Sequence, residues 1–248
     1  MEDKEYLIEA RLQPLADRLG HKSIDQMVGQ LRLGTGKESE QAVVEALLIH
    51  ETSFFRDAHY FDDLARRAFP EQLPIPPNRP LTVWSAACAG GQEPYSIAML
   101  LKERFGTVDS RDVRIIATDL SHAMLEQARE GYFSQIEIQR GVGSDRQSQF
   151  FERDEQRWRI NSEMRSLVRF QHHNLISDEP PLSLFDLVLL RNVLIYFGEA
   201  SRNQVLRSVH QTLRPTGRLM VGATEAMMLP SDLFERDMDF TVPCFRAL

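Results

Sequence analysis

The chain carries only two cysteines, Cys88 and Cys244, in 248 residues. That scarcity excludes a disulfide framework and predicts a reducing, cytoplasmic setting. No stretch approaches the roughly 18 consecutive apolar residues of a membrane span, so direct membrane insertion is not expected. The opening Met1-Glu-Asp-Lys-Glu-Tyr6 brings acids early and no apolar segment, so no secretory signal is expected either. Basic charge is short as well: 29 lysines and arginines face 36 acids, for a net charge of −7. Enzymes of nucleic acids usually need a basic track to displace phosphate counterions, so nucleic acid is not an expected partner. The patterns C-x-x-C, H-E-x-x-H and G-x-S-x-G are missing, which removes the commonest zinc and serine-nucleophile layouts. His172 and His173 are neighbours in an expected strand, so they point to opposite faces and cannot chelate one ion; no metal is expected. There is no G-x-G-x-x-G, because Gly141-Val-Gly143 follows polar residues and lacks the third glycine. Cys88 is expected as a small core filler rather than a nucleophile.

What remains is the composition of an ordinary soluble globular protein, 42% hydrophobic and 26% charged, with room for one large domain and an appendage. Tyr6, Leu7, Leu12, Leu15 and Leu19 fall at helical spacing, with Pro14 kinking or splitting that helix. Ser23 reads as the N-cap of a second helix with Asp25 in its first turn, and a third follows the Gly34-Thr-Gly36 break. Residues 1–48 are therefore expected to form a small helical domain. Residues 57–69 continue as helix until Pro70, Pro74, Pro76, Pro77 and Pro80 impose an extended connector. Beyond it strands and helices alternate: strands at Leu81–Ala86, 113–118, Phe185–Leu190 and 218–222, helices at 94–105, His122–Glu130 and 200–213. Alternation of this kind predicts an α/β domain over residues 49–248, a Rossmann-like parallel sheet with helices on both faces. Short strands near residues 150–152, 158–160 and 167–170 break the rhythm and predict a small antiparallel β-subdomain inserted at about residues 148–171.

Chemistry concentrates in four segments. Strand residues Leu81-Thr-Val-Trp-Ser-Ala-Ala run into Cys88-Ala-Gly-Gly-Gln-Glu93, where small residues and two glycines permit close approach of a ligand to backbone, or simply a tight turn. Asp119 closes the next strand. An acid there can accept both ribose hydroxyls of an adenosine ligand, or it can cap the following helix, with Ser121 nearby; its fixed place one unit beyond the glycine turn favours ribose. Arg191-Asn-Val-Leu-Ile-Tyr-Phe197 follows a third strand and puts Arg191 and Asn192 at the carboxyl edge. Tyr196 reaches the same crevice or packs with its hydroxyl on backbone. Asn174-Leu175 would border an adenine, although Asn174 taken singly reads as a turn residue. The fourth segment is His50-Glu-Thr-Ser-Phe-Phe-Arg56.

Taken in order, these segments resemble the CheR-type chemoreceptor glutamate methyltransferases, over most of the chain from Lys4 to Cys244. The segments ending at Arg56, beginning at Glu93-Pro-Tyr-Ser96, and running from Arg191 to Phe197 are the specific ones; Asp119 is generic to class I methyltransferases. The resemblance implies a Rossmann-like, S-adenosylmethionine-dependent domain with a small helical domain before it. It also implies methyl transfer to the γ-carboxylate of glutamates on chemoreceptor signalling helices, with S-adenosylhomocysteine as product. It implies cofactor contacts from His50, Thr52, Arg56, Glu93, Asp119, Asn174, Leu175, Arg191 and Asn192, and it places Arg56 and Tyr196 beside the transferred methyl. Two departures stand out: His50 replaces a usual asparagine, and Ala223-Thr-Glu225 replaces a more usual His-Ser-Glu.

Lys4, Arg11 and Arg18 recur at seven-residue intervals and form either a basic stripe for acidic receptor helices or a solvated face. The Asp154-Glu-Gln156 turn lacks the glycine-rich insertion of members that grip a receptor C-terminal pentapeptide, so binding of that tether is not expected. A monomer is expected. The rivals are an enzyme of the same fold acting on another protein or a small carboxylate, and a non-catalytic module that binds the cofactor or its product.

Overall fold

A computed structural model describes residues 2–33, 37–69, 79–109, 111–182 and 184–248. The chain divides into two units, Met1–His50 and Glu51–Leu248.

The first unit contains α1 (Glu2–Arg18), α2 (Ile24–Arg32) and α3 (Lys37–Leu47). Leu12, Leu15, Ala16 and Met27 form its small core. Pro14 lies within α1, which continues through it as one helix. Ser23 caps α2, its side chain accepting from the Gln26 amide at 3.2 Å. Arg11 does not stand free in a basic stripe. Its guanidinium donates to the carbonyls of Leu47 and Leu48 at 3.1 Å each, meeting the orphan carbonyls at the end of α3. The Lys4 side chain, the Gly34-Thr-Gly36 break and the prolines from Pro70 to Pro77 lie outside the described residues.

The second unit begins with α4 (Ala58–Asp63), which widens into a π-helical turn over Leu64–Ala68. There follow β1 (Leu81–Ala86), α5 (Gln92–Phe105), β2 (Val113–Asp119), α6 (His122–Glu130), β3 (Tyr132–Ser134), α7 (Gln135–Gln139) and α8 (Ser144–Phe150). Next come β4 (Phe151–Asp154), β5 (Arg157–Ile160), α9 (Ser162–Leu167), β6 (Val168–His172) and β7 (Phe185–Leu190). The chain ends with α10 (Glu199–Thr212), β8 (Leu213–Val221), β9 (Phe234–Arg236) and β10 (Cys244–Ala247). Seven strands form one sheet in the order β6-β2-β1-β7-β8-β10-β9. Pairing is parallel from β6 to β8, and β10 runs antiparallel to both β8 and β9. Strand alternation serves two cores, one on each face: Leu81 and Val83 face one, Trp84 and Ala86 the other. The chain moves outward from β1 through β2 to β6, then returns beside β1 as β7. That reversal opens a crevice beyond the carboxyl ends of β1 and β7, where ligands of such sheets bind.

Two expectations are corrected. The strand expected at residues 167–170 does not belong to the small sheet. As β6 it pairs with β2, setting Val168 against Ile115 and Phe170 against Ala117 at the edge of the main sheet. The small antiparallel sheet takes β3 instead, in the order β3-β5-β4. The strand expected from residue 218 also starts earlier, at Leu213. Pro215 offers no N–H to a ladder, and the register of β8 slips against β7 between Phe185 and Leu187. No helix among the described residues is long and apolar enough to cross a membrane.

Buried carboxylates lock the far side of this unit. Asp237 accepts from Arg218 at 2.6 Å and from Arg246 at 2.9 and 2.7 Å, and the Arg246 guanidinium holds its carboxyl below the ordinary range. Burial alone would raise Asp186, but Arg79 and the Thr82 amide outweigh it and bring it below as well. Asp63 behaves likewise, its burial outweighed by Thr241 and Val242 of the C-terminal segment and by Arg67. A depressed folded pKa contributes stability above the unfolded value of about 3.9 and loses it as pH falls through the folded value. Thermal melts should therefore hold their midpoint down to about pH 5 and drop steeply below about pH 4. Asp237→Asn should melt lower at neutral pH and show a flatter acid fall; an acid fall as steep as that of the parent would refute the assignment.

Candidate active site

After β1 the backbone takes left-handed conformations at Ala87, Ala89 and Gly91, with φ of 57, 46 and 90°. Non-glycine residues held there store strain, which persists only where the surroundings fix it. Here the fixing groups are visible. The Cys88 amide donates to the Thr118 carbonyl at 2.9 Å, and the Ala89 amide donates to Asp119 Oδ2 at 2.8 Å. A Cβ on Gly91 would stand 3.0 Å from the Ala128 side chain and 3.2 Å from the Phe170 ring, so the turn must be glycine to pack on α6 and β6. Asp119 Oδ1 also accepts from the Ser121 amide, while the cap of α6 is Ser121 itself, accepting from Met124. Asp119 is thus a stitch between the two turns, with carboxylate lone pairs left at the crevice. Cys88 is buried, and burial pushes its thiol well up.

Arg191 and Glu93 are partners of each other. Arg191 donates to Glu93 Oε2 at 2.9 Å, to Asp57 Oδ2 at 2.8 Å and to the Arg56 carbonyl at 3.0 Å. Its guanidinium also lies 4.2 Å over the Tyr60 ring. Glu93 Oε1 accepts from the Ser85 hydroxyl at 2.7 Å. The Arg191 side chain is 2% exposed and that of Glu93 13%, so the guanidinium acts from behind the surface while the carboxylate retains access to the crevice. Two carboxylates facing one guanidinium leave an excess of negative charge at this edge, which suits a cationic ligand.

Glu225 has no exposed surface and accepts four backbone N–H bonds. Oε2 takes the amides of Asn192 and Gly222 at 2.8 and 2.7 Å, and Oε1 those of Val193 and Leu194 at 2.8 and 2.7 Å. Asn192 sits at φ 60°, in the left-handed region, within that grip. The short 3₁₀ turn that follows, Leu194–Tyr196, presents Tyr196 with 56% of its surface exposed.

The segment carrying Arg56 is held by aromatic packing. Phe54 meets Phe133 and Phe151 edge-on at 4.8 and 5.5 Å, and the Phe55 amide donates to Ser96 Oγ at 2.9 Å. Arg56 donates through one terminal nitrogen to the Glu51 carbonyl at 2.7 Å. Gly141, set aside as a cofactor loop, has a different duty: a Cβ there would lie 1.8 Å from the Phe54 carbonyl oxygen. Thr52 is half-buried in the same segment. Asn174 Oδ1 accepts from the Ile176 amide at 3.0 Å, the turn geometry its sequence suggested, and Leu175 packs partly buried on the core that contains Trp84. His50 closes the first unit and is half-buried there. His172 stacks on His122 at 4.1 Å and His173 meets Trp84 edge-on at 5.6 Å. No group of three or more potential metal ligands occurs among the described residues. Glu225, Asp57, Ser85 and Gly141 were not singled out from sequence as site residues, although Ser85 lay in the segment leading into the glycine turn and Glu225 in a segment noted for its departure from the family.

Order reversal at β1 and β7, with a strained glycine turn and an acid closing β2, defines a Rossmann-like class I methyltransferase domain. The chain belongs to the CheR methyltransferase family: residues 50–241 match the description "CheR methyltransferase, SAM binding domain". It is 36% identical over 231 residues to the chemotaxis protein methyltransferase Cher2 of Pseudomonas putida, covering 91% of this chain and 84% of that one. Chemotaxis protein methyltransferase 1 of Pseudomonas aeruginosa is 37% identical over 230 residues, covering 91% and 83%. The chemotaxis protein methyltransferase of Vibrio anguillarum is 36% identical over 239 residues, covering 94% and 86%.

The enzyme is therefore an S-adenosylmethionine-dependent methyltransferase, and the site has hydrogen-bond acceptors that suit that cofactor. Gln92 Oε1 is a buried acceptor with no partner among the described residues, 3.0 Å from where a Gly90 Cβ would stand. A spare acceptor at a glycine turn, with the Asp119 lone pairs and the surplus carboxylate charge, fits a ligand carrying an ammonium, a sulfonium and ribose hydroxyls.

Glu225→Gln replaces half of a four-donor acceptor with an amide that also donates, leaving two amides unmet at about 1–3 kcal/mol each. The thermal midpoint should fall by roughly 5–15 °C; a shift within about 2 °C would contradict the anchoring role. Gly141→Ala should displace the Phe54 carbonyl and weaken calorimetric cofactor binding at least about tenfold, if the Thr52–Arg56 segment meets the cofactor. Unaltered affinity would separate that segment from the binding site.

Proposed function

We propose that this enzyme transfers a methyl group to the γ-carboxylate of glutamates on the cytoplasmic signalling helices of chemoreceptors, acting as a cytoplasmic monomer. The observation that carries this is the exposed Tyr196 phenol on a turn made rigid by Glu225, at the carboxyl edge of the sheet. The names of the relatives, chemotaxis protein methyltransferases, support the receptor as target.

When bound, S-adenosylmethionine supplies an electrophilic methyl on a sulfonium. A glutamate side chain is already ionised at neutral pH, so the acceptor needs no general base. What the chain must do is align the carboxylate and keep water out. Arg56 spends one nitrogen on the Glu51 carbonyl, and its remaining N–H donors serve an incoming carboxylate. Tyr196 donates its hydroxyl to the same carboxylate and fixes its direction. Glu93, Asp119, Asn192, Asn174, Leu175, Thr52 and His50 are assigned to the cofactor. Arg191 acts on it indirectly, by holding Glu93 and the Arg56–Asp57 turn in place. The small sheet turns from β4 to β5 through the two residues Glu155 and Gln156, with Glu155 at φ 53°. That short turn supports methylation without a receptor C-terminal pentapeptide.

Purified enzyme, tritiated S-adenosylmethionine and receptor-bearing membranes lacking their own methyltransferase should yield receptor-sized labelled bands that release volatile methanol in mild base. Calorimetric cofactor binding without such label would move the substrate to another protein or a small carboxylate, or the role to regulation. Tyr196→Phe should lower kcat roughly 10- to 100-fold, the worth of a hydrogen bond to a charged group, and Arg56→Ala more. Both variants should melt within about 2 °C of the parent, since Tyr196 is exposed. Full activity in either variant would remove that residue from the chemistry.

A further inference from the structure

Two 3₁₀ turns, Leu194–Tyr196 and Ala223–Met228, pack against each other at the carboxyl edge. Glu225 in the second accepts from the Asn192, Val193 and Leu194 amides leading into the first, so the pair moves as one piece. Their apolar side chains divide into two sets. Leu194 is buried, and Val193, Phe197, Ala226 and Met228 pack partly buried on the core beneath. Ile195, Tyr196 and Met227 are left in water, 45, 56 and 94% exposed. Met227 is the most exposed large hydrophobic residue among the described residues. The runs Val193-Leu-Ile-Tyr-Phe197 and Ala226-Met-Met-Leu229 contain no charge. Apolar side chains held exposed on a rigid frame mark an interaction surface, and methionine adapts to varied partners.

Resting on the methyl-transfer function argued above, we propose that Ile195 and Met227 dock the acceptor: an amphipathic helix whose glutamate meets Tyr196 while uncharged, apolar residues one turn away cover them. Continuity with Tyr196 selects this occupant. Any macromolecule that presents a carboxylate to that phenol lies against the turns that carry it. A helix places side chains three and four positions from its glutamate on the same face, which matches apolar positions beside a polar centre. A small free carboxylate would leave both residues in water. Specificity then comes from the apolar neighbours of the methylated glutamate, and Arg11, engaged on the end of α3, is not needed for it.

The test is steady-state methylation of a soluble receptor signalling fragment by the full-length chain and by Ile195→Ser, Met227→Ser and the double variant. Burying either side chain on binding is worth about 1.4 kcal/mol or more, so each single variant should raise KM for the fragment about tenfold, and the double variant further. kcat should stay within about twofold, calorimetric cofactor affinity should not change, and Met227→Leu should keep the parental KM. Parental KM in the double variant, with the parent labelling the fragment normally, overturns the docking surface alone. No labelling by the parent overturns the methyl-transfer function and the docking surface together. A parent dimer in sedimentation that Met227→Ser disperses gives the surface to a second copy of the chain, and overturns the proposal as well.

Discussion

A guanidinium buried at the end of a strand is expensive unless its charge is paired with carboxylates close by. Arg191 has that position, and the groups that answer its terminal nitrogens and its face come from two separate parts of the chain. Glu93 belongs to the helix after β1, Asp57 and the Arg56 carbonyl to the segment before α4, and Tyr60 to α4 itself. Removing Glu93 would leave the guanidinium paired only with the half-exposed Asp57. The consequence is geometric. The segment bearing Arg56, the first turn of α5 and the end of β7 are all tied to one side chain that itself lies 2% exposed.

The same logic recurs around this centre with backbone amides in place of charges. Asp119 joins the turn after β1 to the turn after β2, and Glu225 joins the turn after β7 to the turn after β8. In both cases a carboxylate accepts amides that residues in left-handed or irregular conformations could not give to a ladder. The strain at Ala87, Ala89 and Asn192 is thereby supported by its surroundings. A parallel sheet ends its strands in loops that would otherwise be its most mobile part. Three acidic residues, Glu93, Asp119 and Glu225, convert that edge into a fixed rim.

Much of this was legible because local chemistry and global fold agree. Strand β1 runs apolar into small residues and glycine, and Asp119 closes a strand one unit later; both patterns name their structural role without reference to distant residues. The helix His122–Glu130 and the strand Phe185–Leu190 were placed to the residue, since periodicity and turn residues bound them on both sides. What escaped was long-range. Glu225 was noted only within a segment that departs from the family, and its role needs the four amides that face it, three of them about thirty residues away in the chain. Gly141 reads as a spare turn glycine until the Phe54 carbonyl is found against it. The strand now called β6 has the length and alternation of a hairpin strand, and only its pairing with β2 separates the sheet edge from the small sheet. Arg11 could not be told from a stripe residue until the end of α3 was folded back to it.

The distribution of perturbed groups bears on the chemistry. Burial moves the Cys88 thiol in the glycine turn well up and the Cys244 thiol up to about 12. The displaced groups Tyr60, Tyr95, Asp63, Asp186 and Asp237 belong to the scaffold. Burial pushes the Tyr60 phenol up to about 12, and its hydroxyl is committed to the Val221 carbonyl. Burial takes the Tyr95 phenol higher still, and that hydroxyl donates to the Ala128 carbonyl. Asp63, Asp186 and Asp237 are lowered by partners that brace the C-terminal strands and the lower sheet. An enzyme that moved a proton in its slow step would need a donor or acceptor tuned near neutrality at the reacting edge. Methyl transfer to an ionised carboxylate has no such step, and its barrier is lowered by direction and exclusion of water. A rim whose buried carboxylates are spent on holding backbone in place suits the proposed reaction, in which Arg56 and the exposed Tyr196 are the groups assigned to the acceptor.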